Sequence, residues 1–138
     1  MPRAGRDLDV LAVVAVGGAA GATARWGIDV AWPQQGPTGF PWGTLTVNVS
    51  GCLLIGLVTW FLVEVWPPHR LVRPFLAVGV LGGYTTFSTF AAQVYGQLDG
   101  AAAPTAAGYV VATLVAGVVA VRLGLLCGRL LAGPRGSS

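Results

Sequence analysis

The residues able to do chemistry in this chain are amides, hydroxyls and rings set in apolar surroundings. Asn48 stands in Gly43-Thr44-Leu45-Thr46-Val47-Asn48-Val49-Ser50-Gly51, four residues after Thr44 and on the same face of a helix. A second cluster reads Gly82-Gly83-Tyr84-Thr85-Thr86-Phe87-Ser88-Thr89-Phe90, where Phe87 and Phe90 share one face at i, i+3 and Thr86 and Thr89 repeat that spacing. Tyr109 and Thr113 form a third polar pair at i, i+4. Amide and hydroxyl groups can replace the water around a small, hard anion without a fixed charge that would trap it. An aromatic ring adds a positive edge. Bond-making chemistry has no comparable candidates. His69 stands alone in Pro67-Pro68-His69-Arg70, with no second histidine or carboxylate at ligand spacing, so no enzyme is predicted.

The elements that position these groups follow from composition. The 138 residues are 54% hydrophobic and only 9% charged, with a mean hydropathy of +0.72. A soluble domain carries roughly 25% charged residues, so this chain cannot cover a core with polar surface. Four apolar stretches, 8–30, 42–66, 74–95 and 106–128, each reach the about 20 residues needed to cross hydrocarbon. They predict a single all-α membrane domain of four transmembrane helices. The formal charge of +3 comes from scattered arginines, too thin a footprint for nucleic acid. Ala22-Thr23-Ala24 looks like a signal-peptide cleavage site, but the apolar character continues to Val30 and favours a spanning segment.

With both termini cytoplasmic, Arg3, Arg6, Arg70, Arg73, Arg122, Arg129 and Arg135 fall on or near the inner side and only Arg25 outside. Trp26, Trp32, Trp42, Trp60 and Trp66 then lie mostly near the interfaces. Most of the 21 glycines lie within spans. Gly17 with Gly21, Gly79 with Gly83 and Gly124 with Gly128 are close-approach pairs, and Gly43, Gly51 and Gly56 flatten the second span. Cys52 and Cys127 fall inside spans, where a small buried hydrophobe is expected. Asn48-Val49-Ser50 matches a glycosylation sequon at a depth no transferase reaches. Four such helices are too narrow to enclose a pore alone, which predicts a dimer or larger assembly.

The third span should break. Adjacent glycines followed by β-branched hydroxyl residues make a poor helix interior, and a break at that depth is tolerated where backbone is buried in protein, lines a cavity or coordinates an ion. Asn48, read by itself, fits interhelical glue as well as a functional donor.

The run Gly82–Phe90, preceded by Gly43-Thr44-Leu45-x-Val47-Asn48 and by Gly17-Gly18-Ala19-x-Gly21-Ala22-x-x-Arg25, resembles the Fluc/CrcB family of small fluoride ion channels. The likeness covers all four spans in order and spacing. It implies an antiparallel dimer of four-helix subunits with a broken third helix, in the cell membrane, passing fluoride passively and electrogenically out of the cytoplasm. It implies a structural Na⁺ at the dimer centre, held by the main-chain carbonyls of Gly82 and Thr85. Phe87 and Phe90 would flank the anion path, Asn48 would donate to it, and Thr44, Tyr109 and Thr113 would continue a polar track. Arg25 either serves an outer vestibule or snorkels.

Two features depart from the family pattern. Gly117 stands one turn after Thr113, where another hydroxyl is common, and the seven-to-one arginine bias favours a fixed orientation over dual insertion. The second subunit is therefore either the same chain or an oppositely oriented homologue. A small four-span drug/proton antiporter would need an embedded acid, and Asp29 and Glu64 lie at span ends. A structural membrane subunit would explain the glycines but neither Asn48 nor the third span.

Overall fold

The computed structural model describes residues 4–65 and 69–132, with side chains over 7–64 and 69–131. Trp66, Arg3 and Arg135 lie outside the described residues, as does the Arg6 side chain. Every regular element within them is helical. Helix α1 runs Ala4–Ala31 and α2 runs Trp42–Trp60, continued by a π-helical turn over Phe61–Val65. A π-helical segment, Pro74–Val80, leads into the single turn α3, Leu81–Tyr84. After two extended residues come α4, Phe87–Asp99, and α5, Ala103–Ala132.

Four of these runs are long and apolar enough to cross a membrane: Asp7–Ala31, Trp42–Glu64, Pro74–Asp99 and Ala103–Leu131. The architecture is thus the all-α, four-span arrangement. The third helix extends beyond Tyr95 because Gln97 on its last turn is fully buried and donates to the Gly39 carbonyl at 3.0 Å, tying the α1–α2 loop to α4. At the opposite end Arg70 pairs with Asp9, joining the start of α1 to the turn after α2.

The helices associate as two glycine-lined pairs. Helix α1 lies against Pro74–Val80 and α3, while α2 lies against α5 and α4 leans on α5. Lipid offers no hydrophobic drive between helices, so close backbone approach has to supply the dispersion that holds them. Gly17 and Gly79 meet backbone to backbone, with a Cβ on Gly17 falling 3.1 Å from the Gly79 Cα. Gly56 and Gly124 meet the same way across α2 and α5. Gly83 presses on the Gly18 backbone, and Gly128 accommodates the Trp60 ring.

Polarity is inverted relative to a soluble protein. Leu11, Val16, Val78, Val111, Leu114, Val118 and Leu130 are exposed, whereas Thr44, Thr86 and Gln97 are buried. Cys127 is exposed and Cys52 is half-buried, so neither is the buried hydrophobe expected from its span. Their positions on helix faces, which span membership does not specify, decide this.

The packing predicts opposite outcomes for two alanine substitutions on α1. In Gly21→Ala the new methyl meets the Val80 carbonyl and the Tyr84 amide of the neighbouring backbone, which cannot rotate away. Overpacking costs about 1–3 kcal/mol, enough to outweigh a helix-propensity gain of about 1 kcal/mol. Thermal unfolding in detergent should show a lowered midpoint. Gly27→Ala, with nothing within 4 Å, should leave the midpoint unchanged or raise it.

Candidate functional site

The third span breaks, but at the threonines rather than the glycines. Thr85 (φ −80°, ψ 158°) and Thr86 (φ −146°, ψ 122°) are extended, while Gly82 and Gly83 remain within α3. β-branched residues favour extended backbone, and here a partner exists for it. Asn48 Nδ2 donates to the Thr86 carbonyl at 3.0 Å, and the Thr86 N–H donates to Asn48 Oδ1 at 2.9 Å. A side-chain amide on α2 thus pairs with the break as a neighbouring strand would. Thr86 also caps α4, its hydroxyl oxygen accepting from the Thr89 N–H at 3.1 Å.

These two diversions have a counterpart on the acceptor side. In an uninterrupted helix the Thr86 N–H would go to the Gly82 carbonyl and the Thr89 N–H to the Thr85 carbonyl. Asn48 takes the first and the Thr86 hydroxyl takes the second. Gly82 and Thr85 are therefore left with carbonyl oxygens that have lost their helical donors. Gly82 is exposed and has open space where a Cβ would stand. Among the described residues no three His, Cys, Asp or Glu side chains gather to hold a metal. A hard cation at this depth would have carbonyl oxygens as its ligands, and these two suit it.

A second polar unit lies deeper. Tyr109, fully buried, donates from its hydroxyl to Gln93 Oε1 at 3.0 Å, and Gln93 Nε2 donates to the Thr44 hydroxyl oxygen at 3.0 Å. Helices α2, α4 and α5 are joined in one relay. Thr44 and Gln93 also border a cavity of about 200 Å³ together with Asp29 and Thr89. Gln93 is absent from the residues singled out by sequence, although its signal resembles that of Asn48: an amide three residues after Phe90 on the same helical face. The hydrogen bond between Ser50 and the Tyr84 hydroxyl (2.8 Å) is a further link unforeseen there.

The rings continue from Tyr109. Phe90 packs on it with centroids 5.0 Å apart, and Phe87 follows Phe90 at 5.9 Å. Phe87 is 79% exposed, an outward aromatic on the same face as the break. Asn48, Thr85, Thr86, Phe87, Phe90 and Thr113 all line one groove of about 520 Å³ between α2, α4 and α5. The Thr113 hydroxyl is buried there without a partner among the described residues. Beside Gly117 the Cys52 thiol fills the groove wall, 3.4 Å from where a Cβ would stand.

The predicted site residues thus divide. Asn48, Phe87, Phe90, Thr113 and Thr85 share the groove; Thr44 and Tyr109 brace it from behind; Gly82 faces open surface. Arg25 lies apart on α1, half-buried, its Nε unpartnered among the described residues. Asp29 and Glu64 do not line the groove.

Residues 12–125 match the family described as CrcB-like protein, Camphor Resistance (CrcB). The chain belongs to the CrcB family. Its curated relatives include fluoride-specific ion channel FluC 2 of Streptomyces avermitilis, 51% identical over 105 residues that make up 76% of this chain and 66% of the relative. FluC 1 of Streptomyces coelicolor is 47% identical over 83% of this chain and 73% of its own length. FluC 2 of Nocardia farcinica is 42% identical over 86% and 84%. These CrcB relatives carry the name of ion channels, a class that is not enzymatic.

The Asn48 pairing predicts a graded loss. Asn48→Leu leaves the Thr86 N–H and C=O unpaired in apolar surroundings, at about 1–3 kcal/mol for each group. Asn48→Asp, as the neutral acid that apolar surroundings favour, keeps an acceptor for the Thr86 N–H and an O–H for its carbonyl, so its loss should be smaller. Unfolding in detergent ranks the variants, and hydrogen exchange at the Thr86 amide should be fastest in Asn48→Leu.

Proposed function

We propose that this chain is one subunit of a fluoride channel that lowers cytoplasmic fluoride by passive, electrogenic efflux across the cell membrane. The observation that carries the reading is the groove containing Asn48, Phe90 and Thr113, where hydroxyls, an amide and aromatic rings meet and no carboxylate is among the lining residues. Such a surface solvates a small hard anion without expelling it by charge. HF that diffuses inward dissociates in the cytoplasm, and the released ion leaves down its gradient.

Phe87 and Phe90 border the route. The Asn48 amide has two N–H groups and uses one on Thr86, leaving the other as a donor. Thr113 offers its unpaired hydroxyl, and the Thr44–Gln93–Tyr109 relay fixes the wall behind the rings. The exposure of Phe87 and of Gly82 supports a second four-span subunit covering this face, antiparallel to the first.

Na⁺ is the proposed structural cofactor, with the Gly82 and Thr85 carbonyls as this chain's ligands. When bound, it supplies positive charge that offsets the bared carbonyl dipoles. The arginine bias supports cytoplasmic N and C termini for this subunit. Its partner is either a copy inserted the other way or an oppositely oriented homologue. Asp29 and Glu64 stand outside the groove, which leaves an antiporter without its embedded acid.

Liposomes loaded with fluoride and containing purified protein should empty with net charge movement when given a counter-ion path, whereas chloride-loaded liposomes should not. Equal chloride efflux, or none of either, overturns the reading. Phe87→Ile should cut the fluoride rate at least ~10-fold with unchanged elution on size exclusion. Replacing Na⁺ by N-methylglucamine throughout purification should abolish flux. A functional assembly from this chain alone, with subunits in both orientations, would dispense with the homologous partner.

A further inference from the structure

Arg122 is the one charged side chain lining the groove among the described residues. It stands on α5, nine residues or about 13 Å beyond Thr113 along the helix axis. Helix α5 covers 30 residues, and centred on about 30 Å of hydrocarbon it would carry Arg122 about 7 Å past the middle, on the half toward its C-terminus. A guanidinium at that depth needs an acid, a set of carbonyls or water. Among the described residues Arg122 has neither an ion pair nor a hydrogen bond, and its side chain is exposed. Water along the groove, or at the interface that its long stem can reach, is what remains to solvate it.

The groove has a direction. Because α2 and α5 run in the same direction, with Cys52 against Gly117 and Gly56 against Val121, Asn48 stands toward the Thr113 end of the groove and Ile55 toward the Arg122 end. The hydrogen-bonding groups stand at one end and the cation at the other. At its middle the missing side chain of Gly117 widens the passage, with only the Cys52 thiol beside it.

We infer that Arg122 is the electrostatic mouth of this groove: a fixed, water-solvated cation that gathers anions at one end and delivers them toward Asn48 and Thr113. The inference rests on the proposed anion conduction and assigns the charge that feeds it. Arg122 acts on the ion's local concentration, so it changes rate and leaves discrimination between anions to the groups at the far end. A unit charge about 5 Å from an anion in water-like surroundings raises its local concentration ~4-fold. Salt sets the range of this attraction, about 30 Å at 0.01 M and about 3 Å at 1 M.

The test compares the full chain with Arg122→Gln and Arg122→Lys in liposomes, measuring fluoride conductance at ~10 mM and ~1 M total salt. Arg122→Gln should lower conductance ~4-fold at the low salt and less than ~1.5-fold at the high, with the fluoride-to-chloride ratio unchanged. Arg122→Lys should match the unaltered protein. An equal effect at both salts, or none at either, overturns the inference, whereas an unaltered protein that passes no fluoride overturns the proposed function instead.

Cys52 provides a readout that needs no conduction. In a Cys127→Ala background, anionic methanethiosulfonate should modify Cys52 faster than a cationic analogue of the same size. That preference should shrink at ~1 M salt and vanish in Arg122→Gln. A thiol unreactive to both reagents, or one without charge preference at low salt, rejects a wet cationic mouth even where Arg122→Gln does not assemble.

Discussion

A peptide group stripped of its helical partner in hydrocarbon costs several kcal/mol, and this structure meets that constraint with one side chain. The Asn48 amide gives an N–H to the Thr86 carbonyl and takes the Thr86 N–H in return. Without it the third span could be neither interrupted nor held at a fixed angle. With it, two extended residues stand in the middle of a membrane-crossing helix, α4 starts on a threonine cap, and the Gly82 and Thr85 carbonyls are relieved of their ordinary duty. The groove, the outward rings and the bared oxygens all follow from that exchange.

The remaining polar contacts hold this arrangement in register. The Tyr109–Gln93–Thr44 relay ties α4 to α5 and α2, and Gln97 ties the top of α4 to the α1–α2 loop. The glycine pairs act differently, bringing α1 onto the first half of the broken span and α2 onto α5 until backbones touch. At Gly51 the two systems meet, because the space where its Cβ would stand holds the Thr85 methyl. Close packing and the break are thereby joined at one residue.

How much of this was legible beforehand depended on the length scale of the signal. Four crossings follow from hydropathy averaged over about 20 residues, and the glycine contacts from spacing at i, i+4. That the third span is interrupted could be read from Gly82–Phe90, yet the position of the interruption could not. Glycine weakens a helix everywhere, whereas the location of the break depends on where Asn48 arrives from another helix. Gln93 carried the same kind of signal as Asn48 and was obscured by the aromatic pair beside it. The outward turn of Cys127 and the half-exposure of Cys52 depend on helix rotation, which composition does not encode.

The polar contacts that brace the break, the relay and the loop use amides, hydroxyls and the Tyr109 phenol, on Asn48, Thr44, Thr86, Gln93, Gln97 and Tyr109. None of these groups gains or loses a proton anywhere between mild acid and about pH 9. The bonds that brace the break and the relay therefore stay neutral and intact across that whole range.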